Sequence, residues 1–182
     1  MSKAIGLVEY KTVSSGITAA DAMVKTADVE IIQSEAVCPG KYFTLIRGDL
    51  SAVRAAVDAA AAKLPSQLID SFVLGNPHES IFRAVWGTTT VENPRALGIL
   101  ETYSVASAIV AADTAAKTAD VTLIELRLAR GLCGKSYLLL TGEVAAVSAA
   151  IEHAKDGAGE DGMFLDSSVI AGPDEKLWKT IL

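Results

Sequence analysis

Two cysteines stand where their side chains could do chemistry. Cys38 opens Cys38-Pro39-Gly40, a turn signature between apolar runs, and Cys133 lies in Arg130-Gly131-Leu132-Cys133-Gly134. Free cysteine is most often a small buried hydrophobe, but a Cys-Pro-Gly turn presents its side chain rather than packing it. One thiolate is too few to hold an iron–sulfur cluster, which wants about four ligands, mostly cysteine. Lys41 and Lys135 follow the two turns at equal spacing. They read as solvated lysines at strand starts or, alternatively, as setting the field beside the turns, where Arg130 would add positive charge. His78 and His153 have no Cys, Asp or His at metal-ligand spacing and read as surface or helix-end residues. Asp21 and Asp113 sit mid-helix beside alanines, where structural hydrogen bonding at a module interface fits better than acid–base work. The sequence has no Gly-rich phosphate loop, nucleophile elbow or paired catalytic carboxylates, which argues against an enzyme.

These residues are carried by a duplicated frame. Ala4-Ile5-Gly6-Leu7-Val8-Glu9 returns as Ala96-Leu97-Gly98-Ile99-Leu100-Glu101, and Lys25-Thr26-Ala27-Asp28-Val29 as Lys117-Thr118-Ala119-Asp120-Val121. Lys41 to Gly48 matches Lys135 to Gly142, and Pro77 pairs with Pro173. The spacing between the copies lengthens just before Lys135, at the second turn. The chain is a tandem duplication, read as modules 1–91 and 92–182.

Within one module, Ala4–Tyr10 reads as a strand. Val13–Ala27 reads as a helix capped by Ser14 or Ser15, with Ile17, Ala20 and Val24 on one face. Strands follow over 29–37 and 42–47, then an alanine-rich helix to Ala62 and a strand over 68–74. Pro77 then opens a short helix over 79–86. The order β-α-β-β-α-β predicts an α/β class: a ferredoxin-like antiparallel sheet with both main helices on one face. Fused copies that stack as a pseudo-twofold pair could assemble by threes into a six-part ring.

Composition narrows the class further. The 182 residues are 51% apolar but only 5% aromatic, and alanine fills the difference, so the core is built from closely spaced helices. This much burial potential excludes disorder. Sixteen basic against twenty-two acidic residues argues against nucleic acid as a partner. The longest apolar run, 105–112, falls far short of the ~18 residues that span a membrane. Met1-Ser2-Lys3 runs straight into the first strand, so no secretory signal is expected and both thiols should be reduced. The acid-rich stretch over 156–162 reads as a solvated loop.

The opening strand Ala4–Glu9, the helix segment Ala20-Asp21-Ala22-Met23-Val24-Lys25 and the run Gly48-Asp49-Leu50-Ser51-Ala52-Val53 resemble the shell proteins of bacterial microcompartments. The resemblance covers the whole chain twice, as in the tandem-domain (BMC domain), trimer-forming members. Val37-Cys38-Pro39-Gly40-Lys41 is similar to the turn of a propanediol-utilisation member that carries an iron–sulfur cluster at its central pore. The resemblance implies a flat pseudohexameric homotrimer in the microcompartment shell, within the cytoplasm. It places Cys38, Pro39, Gly40, Leu132, Cys133 and Gly134 at the pore. It also implies that Cys38 ligates one cluster per trimer, of the four-iron–four-sulfur (4Fe–4S) type, for electron transfer across the shell. Three Cys38 thiolates on a threefold axis would fit such a cluster with one open iron, or a three-iron (3Fe–4S) cluster. Cys133 is read as set back from the axis, or as an auxiliary ligand. Tile edges would meet other shell proteins through Lys25 and Lys117, with Asn76 and His78 standing in a turn where single-module members carry Arg-Pro-His. Encapsulated redox enzymes are implied as further partners. Two alternatives stand beside this: the same tile without a cluster, its pore conducting small polar metabolites, and a ferredoxin-like small-molecule sensor.

Overall fold

The structure is a computed structural model that describes residues 4–159 and 163–182. The elements follow the duplication. The first set is β1 (Ala4–Tyr10), α1 (Val13–Thr26), β2 (Glu30–Val37), β3 (Lys41–Gly48), α2 (Leu50–Lys63), β4 (Leu68–Leu74) and α3 (Ser80–Val85). The second is β5 (Ala96–Thr102), α4 (Val105–Thr118), β6 (Val121–Arg127), β7 (Ser136–Gly142), α5 (Val144–Gly159), β8 (Phe164–Ile170) and α6 (Glu175–Ile181). Among the described residues, no helix is long and apolar enough to cross a membrane.

The residues gather into two compact units. The first takes the chain to Pro77 together with Ser104–Ala106 and Ala129–Gly134. The second takes His78–Tyr103, Ser107–Leu128 and Lys135–Leu182.

In the first unit the sheet order is β2-β3-β1-β4 with every pairing antiparallel, the ferredoxin-like order. Alternate residues of β1 point to the same face. Ala4, Val8 and Tyr10 share a core with Ala19 and Met23 of α1 and Val53 and Ala56 of α2, so both helices lie on that face. Small residues let the layers close. A Cβ on Gly6 would stand 2.7 Å from side-chain carbons of Val53 and Val57. The Tyr10 hydroxyl ends in this core and donates to the Ala60 carbonyl at 2.6 Å, which satisfies a polar group that burial would otherwise penalise.

The second unit repeats the order as β6-β7-β5-β8. A Cβ on Gly98, the counterpart of Gly6, would crowd Leu140, Val147 and Ile151. Here Trp178 of α6 packs with Leu97 and Ile124, and α3 packs on β6.

Four local expectations change. Thr12, not Ser14 or Ser15, caps α1, its hydroxyl accepting the Ser15 N–H at 3.2 Å. The buried face of α1 is Gly16, Ala19, Ala20 and Met23, whereas Ile17 and Val24 are exposed. Gly16, Ala19 and Ala20 let the helix pack closely while the unbranched Met23 reaches into the core, and the β-branched Ile17 and Val24 are left outside. Pro77 precedes α3 by three residues rather than opening it. Residues 156–159 continue α5 instead of forming a loop; the rest of that acid-rich stretch, 160–162, lies outside the described residues.

Candidate functional site

The turn between β2 and β3 is tight because Gly40, at φ 114°, turns back to donate its N–H to the Val37 carbonyl at 2.8 Å. Only a residue without a Cβ adopts that φ freely. Cys38 and Pro39 ride outside the ladder and are exposed, and the Cys38 thiol is free.

The segment Ala129–Gly134, which joins β6 to β7, belongs to the same unit. It holds two non-glycine residues in the left-handed region, Ala129 at φ 58° and Cys133 at φ 51°. Its last residue is pressed against the first turn. A Cβ on Gly134 would lie 3.0 Å from the Cys38 carbonyl oxygen, from Lys41 Cε and from Pro39 Cδ. Gly134 also has φ 85°, so both space and conformation call for glycine. The two turns singled out from sequence thus meet, through Cys38 and Pro39 on one side and Gly134 on the other. Cys133 is exposed and its thiol is free; Leu132 is half-buried.

Lys41 is not a solvated lysine. Its side chain is 17% exposed, and its ammonium donates to Glu9 Oε1 at 3.0 Å and to the Gly134 carbonyl at 3.1 Å. Glu9 is fully buried and accepts the Val105 N–H through Oε2 at 2.7 Å. That bond places a carboxylate at the amino end of α4, where the helix dipole favours negative charge. Burial holds the Glu9 carboxyl above the ordinary carboxylate value, and Lys41 and the Val105 N–H offset part of that. Asp70, beside Glu9 in the β1–β4 pairing, takes the Ser104 hydroxyl. Arg130 spends its charge locally on Glu35, with two bonds of 2.9 and 2.6 Å, so it adds no free positive charge beside the turns.

Glu9 is the group that sequence reasoning missed. Its signal was available: a carboxylate inside an apolar strand, kept in both copies as Glu9 and Glu101.

The expected edge residues fall into two groups. In the first unit, Lys25 is 73% exposed and pairs with Asp21 at 2.7 Å, and Asn76 is exposed. In the second, Asp113 joins two of the others: it pairs with Lys117 at 2.6 Å and accepts the His78 N–H at 2.8 Å. The His78 ring meets the Ser80 hydroxyl at 2.7 Å. Asp113 is therefore a structural acceptor, as expected. His153 is exposed on α5. Among the described residues, no three or more His, Cys, Asp or Glu side chains of one chain converge as a metal site. The chain's two thiols, the donors an iron–sulfur cluster needs, are those of Cys38 and Cys133.

Comparison with known proteins gives consistent matches. The BMC domain family model matches twice, over residues 4–77 and 96–173. The microcompartment shell protein PduT of Citrobacter freundii is 40% identical over 182 residues, covering 100% of this chain and 99% of the relative. The shell protein PduA of the same organism is 40% identical over 81 residues, 43% of this chain and 87% of the relative. A crystal structure of a microcompartment protein from Desulfitobacterium hafniense superposes with a TM-score of 0.84 at 44% identity, covering 98% of this chain and 99% of that one.

Proposed function

Because the chain belongs to the BMC-domain family of bacterial microcompartment shell proteins, we propose that three copies close into a six-module tile whose Cys38 turns surround the central pore. The chain is structural and not an enzyme, as its shell-protein relatives are. We divide it into two shell modules, 1–91 and 92–182, and propose that Lys25, Lys117, Asn76 and His78 lie along the tile's edges, where other shell proteins dock.

The finer part of the reading is one iron–sulfur cluster per trimer, of the 4Fe–4S type, held by three Cys38 thiolates. The observation that carries it is the exposed Cys38 thiol on a turn anchored by Gly40, Gly134 and Lys41. One chain does not satisfy the cluster's need for about four ligands. Three copies on an axis supply three thiolates and leave one iron open. Bound iron would itself keep the thiols deprotonated. Such a cluster supplies one-electron chemistry, and the tile would then pass electrons between the outside and enzymes within. Pro39 and Gly40 keep the turn narrow, and the Lys41 anchor holds it in place.

The test is anaerobic purification followed by iron analysis, visible absorbance and paramagnetic resonance. Cys38→Ser is expected to lose iron and colour yet keep the trimer, and Cys133→Ser to keep most of the iron. Undiminished iron in Cys38→Ser would refute the ligand assignment. A colourless wild type after reconstitution would favour a pore that conducts small polar metabolites.

A further inference from the structure

The second module departs from the duplication at a place that the shell reading does not use. In the first sheet Glu30 stands opposite Arg47 across β2 and β3, and the two form an ion pair of 2.7 Å. At the matching positions of β6 and β7 stand Thr122 and Thr141. Thr141 is buried and spent on the frame, its hydroxyl donating to the Ala96 carbonyl and accepting the Arg95 N–H. Thr122 is exposed, and among the described residues its hydroxyl has no partner. The copy has lost a carboxylate and its cation and kept a free hydroxyl on its edge strand.

Thr122 lines a cavity of about 460 Å³ whose walls all belong to the second unit. Helix α3, which packs on β6, brings Arg83 to it. Arg83 is exposed, and among the described residues its guanidinium makes no hydrogen bond or ion pair. The segment after α3 adds Thr88, Thr89 and Thr90, three hydroxyls in a row. The Thr89 hydroxyl oxygen is buried and has no partner. A buried polar atom left unsatisfied is penalised, so this one calls for a partner from outside the fold. Ser80 also lines the cavity, but its hydroxyl is already engaged by the His78 ring at 2.7 Å. No carboxylate lines it. Glu92, Asp120 and Glu143 line a neighbouring cavity that shares Thr90 and Thr122, and Glu143 is held there by Arg95. Val121 and Leu123 supply the apolar part of the lining.

We propose that this cavity binds a small phosphomonoester, with Arg83 and the hydroxyls of Thr89, Thr90 and Thr122 as the phosphate's partners. A guanidinium presents paired N–H donors that match two oxygens of a phosphate. Hydroxyls rotate to suit and donate to the remaining oxygen from other directions. A carboxylate, with two oxygens in one plane, uses such a set less fully. The Thr89 hydroxyl, orphaned in the fold, gains its acceptor when the phosphate enters. The volume lies in the range of about 300–1,000 Å³ that small-molecule sites occupy, and it exceeds what one phosphate group fills. Val121 and Leu123 give the organic part of the ester its apolar contact. The cavity shares no residue with the Cys38 turn, so the site stands whether or not a cluster is bound there.

The test is titration calorimetry of the full-length protein with glycerol 3-phosphate, inorganic phosphate and, as a neutral control, glycerol, with far-UV circular dichroism confirming that each variant folds. Wild type is expected to bind glycerol 3-phosphate saturably and more tightly than inorganic phosphate, and not to bind glycerol. Arg83→Gln should weaken binding roughly 10–100-fold, the scale of a lost charged hydrogen bond. Arg54→Gln removes an equal charge from an exposed position on α2 and should leave binding unchanged. Thr89→Val keeps the branched shape and should weaken binding about 3–10-fold. The same variant should leave the melting temperature of the ligand-free protein unchanged or raised, because the hydroxyl it removes has no partner in the fold. A merely structural hydroxyl would give the reverse, a lower melting temperature with binding untouched, and would overturn the assignment of Thr89. A wild type that binds neither phosphate compound saturably, or equal weakening by Arg83→Gln and Arg54→Gln, overturns the site. Inorganic phosphate bound as tightly as glycerol 3-phosphate overturns the choice of an organic ester.

Discussion

Replacing Lys41 with methionine isolates what holds the Cys38 turn to the sheet. The perturbation removes an ammonium that is 17% exposed from a carboxylate that is fully buried. It leaves Glu9 with the Val105 N–H, and it also strips the Gly134 carbonyl of its 3.1 Å donor. Breaking a buried pair by removing one partner costs about 3–5 kcal/mol. The residual wetting of Lys41 puts this case near the lower end, at about 3 kcal/mol. For a chain of this length that is a fall in melting temperature of roughly 6–12 °C. The pH dependence sharpens the test. Burial already holds the Glu9 carboxyl above its ordinary value of 4.5, and Lys41 is the chief influence pulling it back down. Without Lys41 it rises further. A carboxyl raised in the folded state contributes stability that is fully present below its unfolded value and is lost as pH rises through the folded value. The deficit of Lys41→Met should therefore be large at about pH 7.5 and shrink toward about pH 5. Glu9→Gln/Lys41→Met, which buries no charge, should recover most of the loss and remove the pH dependence. Thermal unfolding followed by circular dichroism at fixed protein concentration measures all of this. A shift under about 2 °C, or a deficit that grows as pH falls, would refute the reasoning.

Two further outcomes follow from other parts of the molecule. Lys25→Asp with Lys117→Asp should leave trimers intact but abolish sheets or shell incorporation, as electron microscopy of assembled protein would show; normal sheets would remove these lysines from the edge. Tyr137, pushed up to about 12 by burial and by its 2.7 Å bond to Glu125, should ionise well above the ordinary phenol value of 10.0 in a spectrophotometric titration. Glu125→Gln should bring it down, and an unchanged titration would show that the bond does not act as described.

Much of the frame was legible because the sequence states it twice. The strand over 68–74 matches the apolar run, and the alanine-rich helix read to Ala62 runs one residue further, to Lys63. The buried face of α1 was harder to read. Apolar size pointed to Ile17 and Val24, but close layers select Gly16, Ala19 and Met23. Cys38, Gly40 and Gly134 were found through turn chemistry, which is local. Lys41 was left between a solvated lysine and one setting the field beside the turn, because its partner, Glu9, lies 32 positions away. Its other acceptor, the Gly134 carbonyl, lies 93 positions away, and no window reaches that far. Asp113 was placed correctly because it repeats Asp21 among small residues, though only the fold shows that the two differ in burial.

The most direct measurement of the central claim is the native mass of the anaerobically purified full-length protein. One species of three 18.9 kDa chains carrying the mass of a single iron–sulfur cluster is expected, with the cluster lost and the three chains retained in Cys38→Ser. A monomer would contradict the tile, and a cluster that stays on one isolated chain would contradict a site assembled from three Cys38 thiolates.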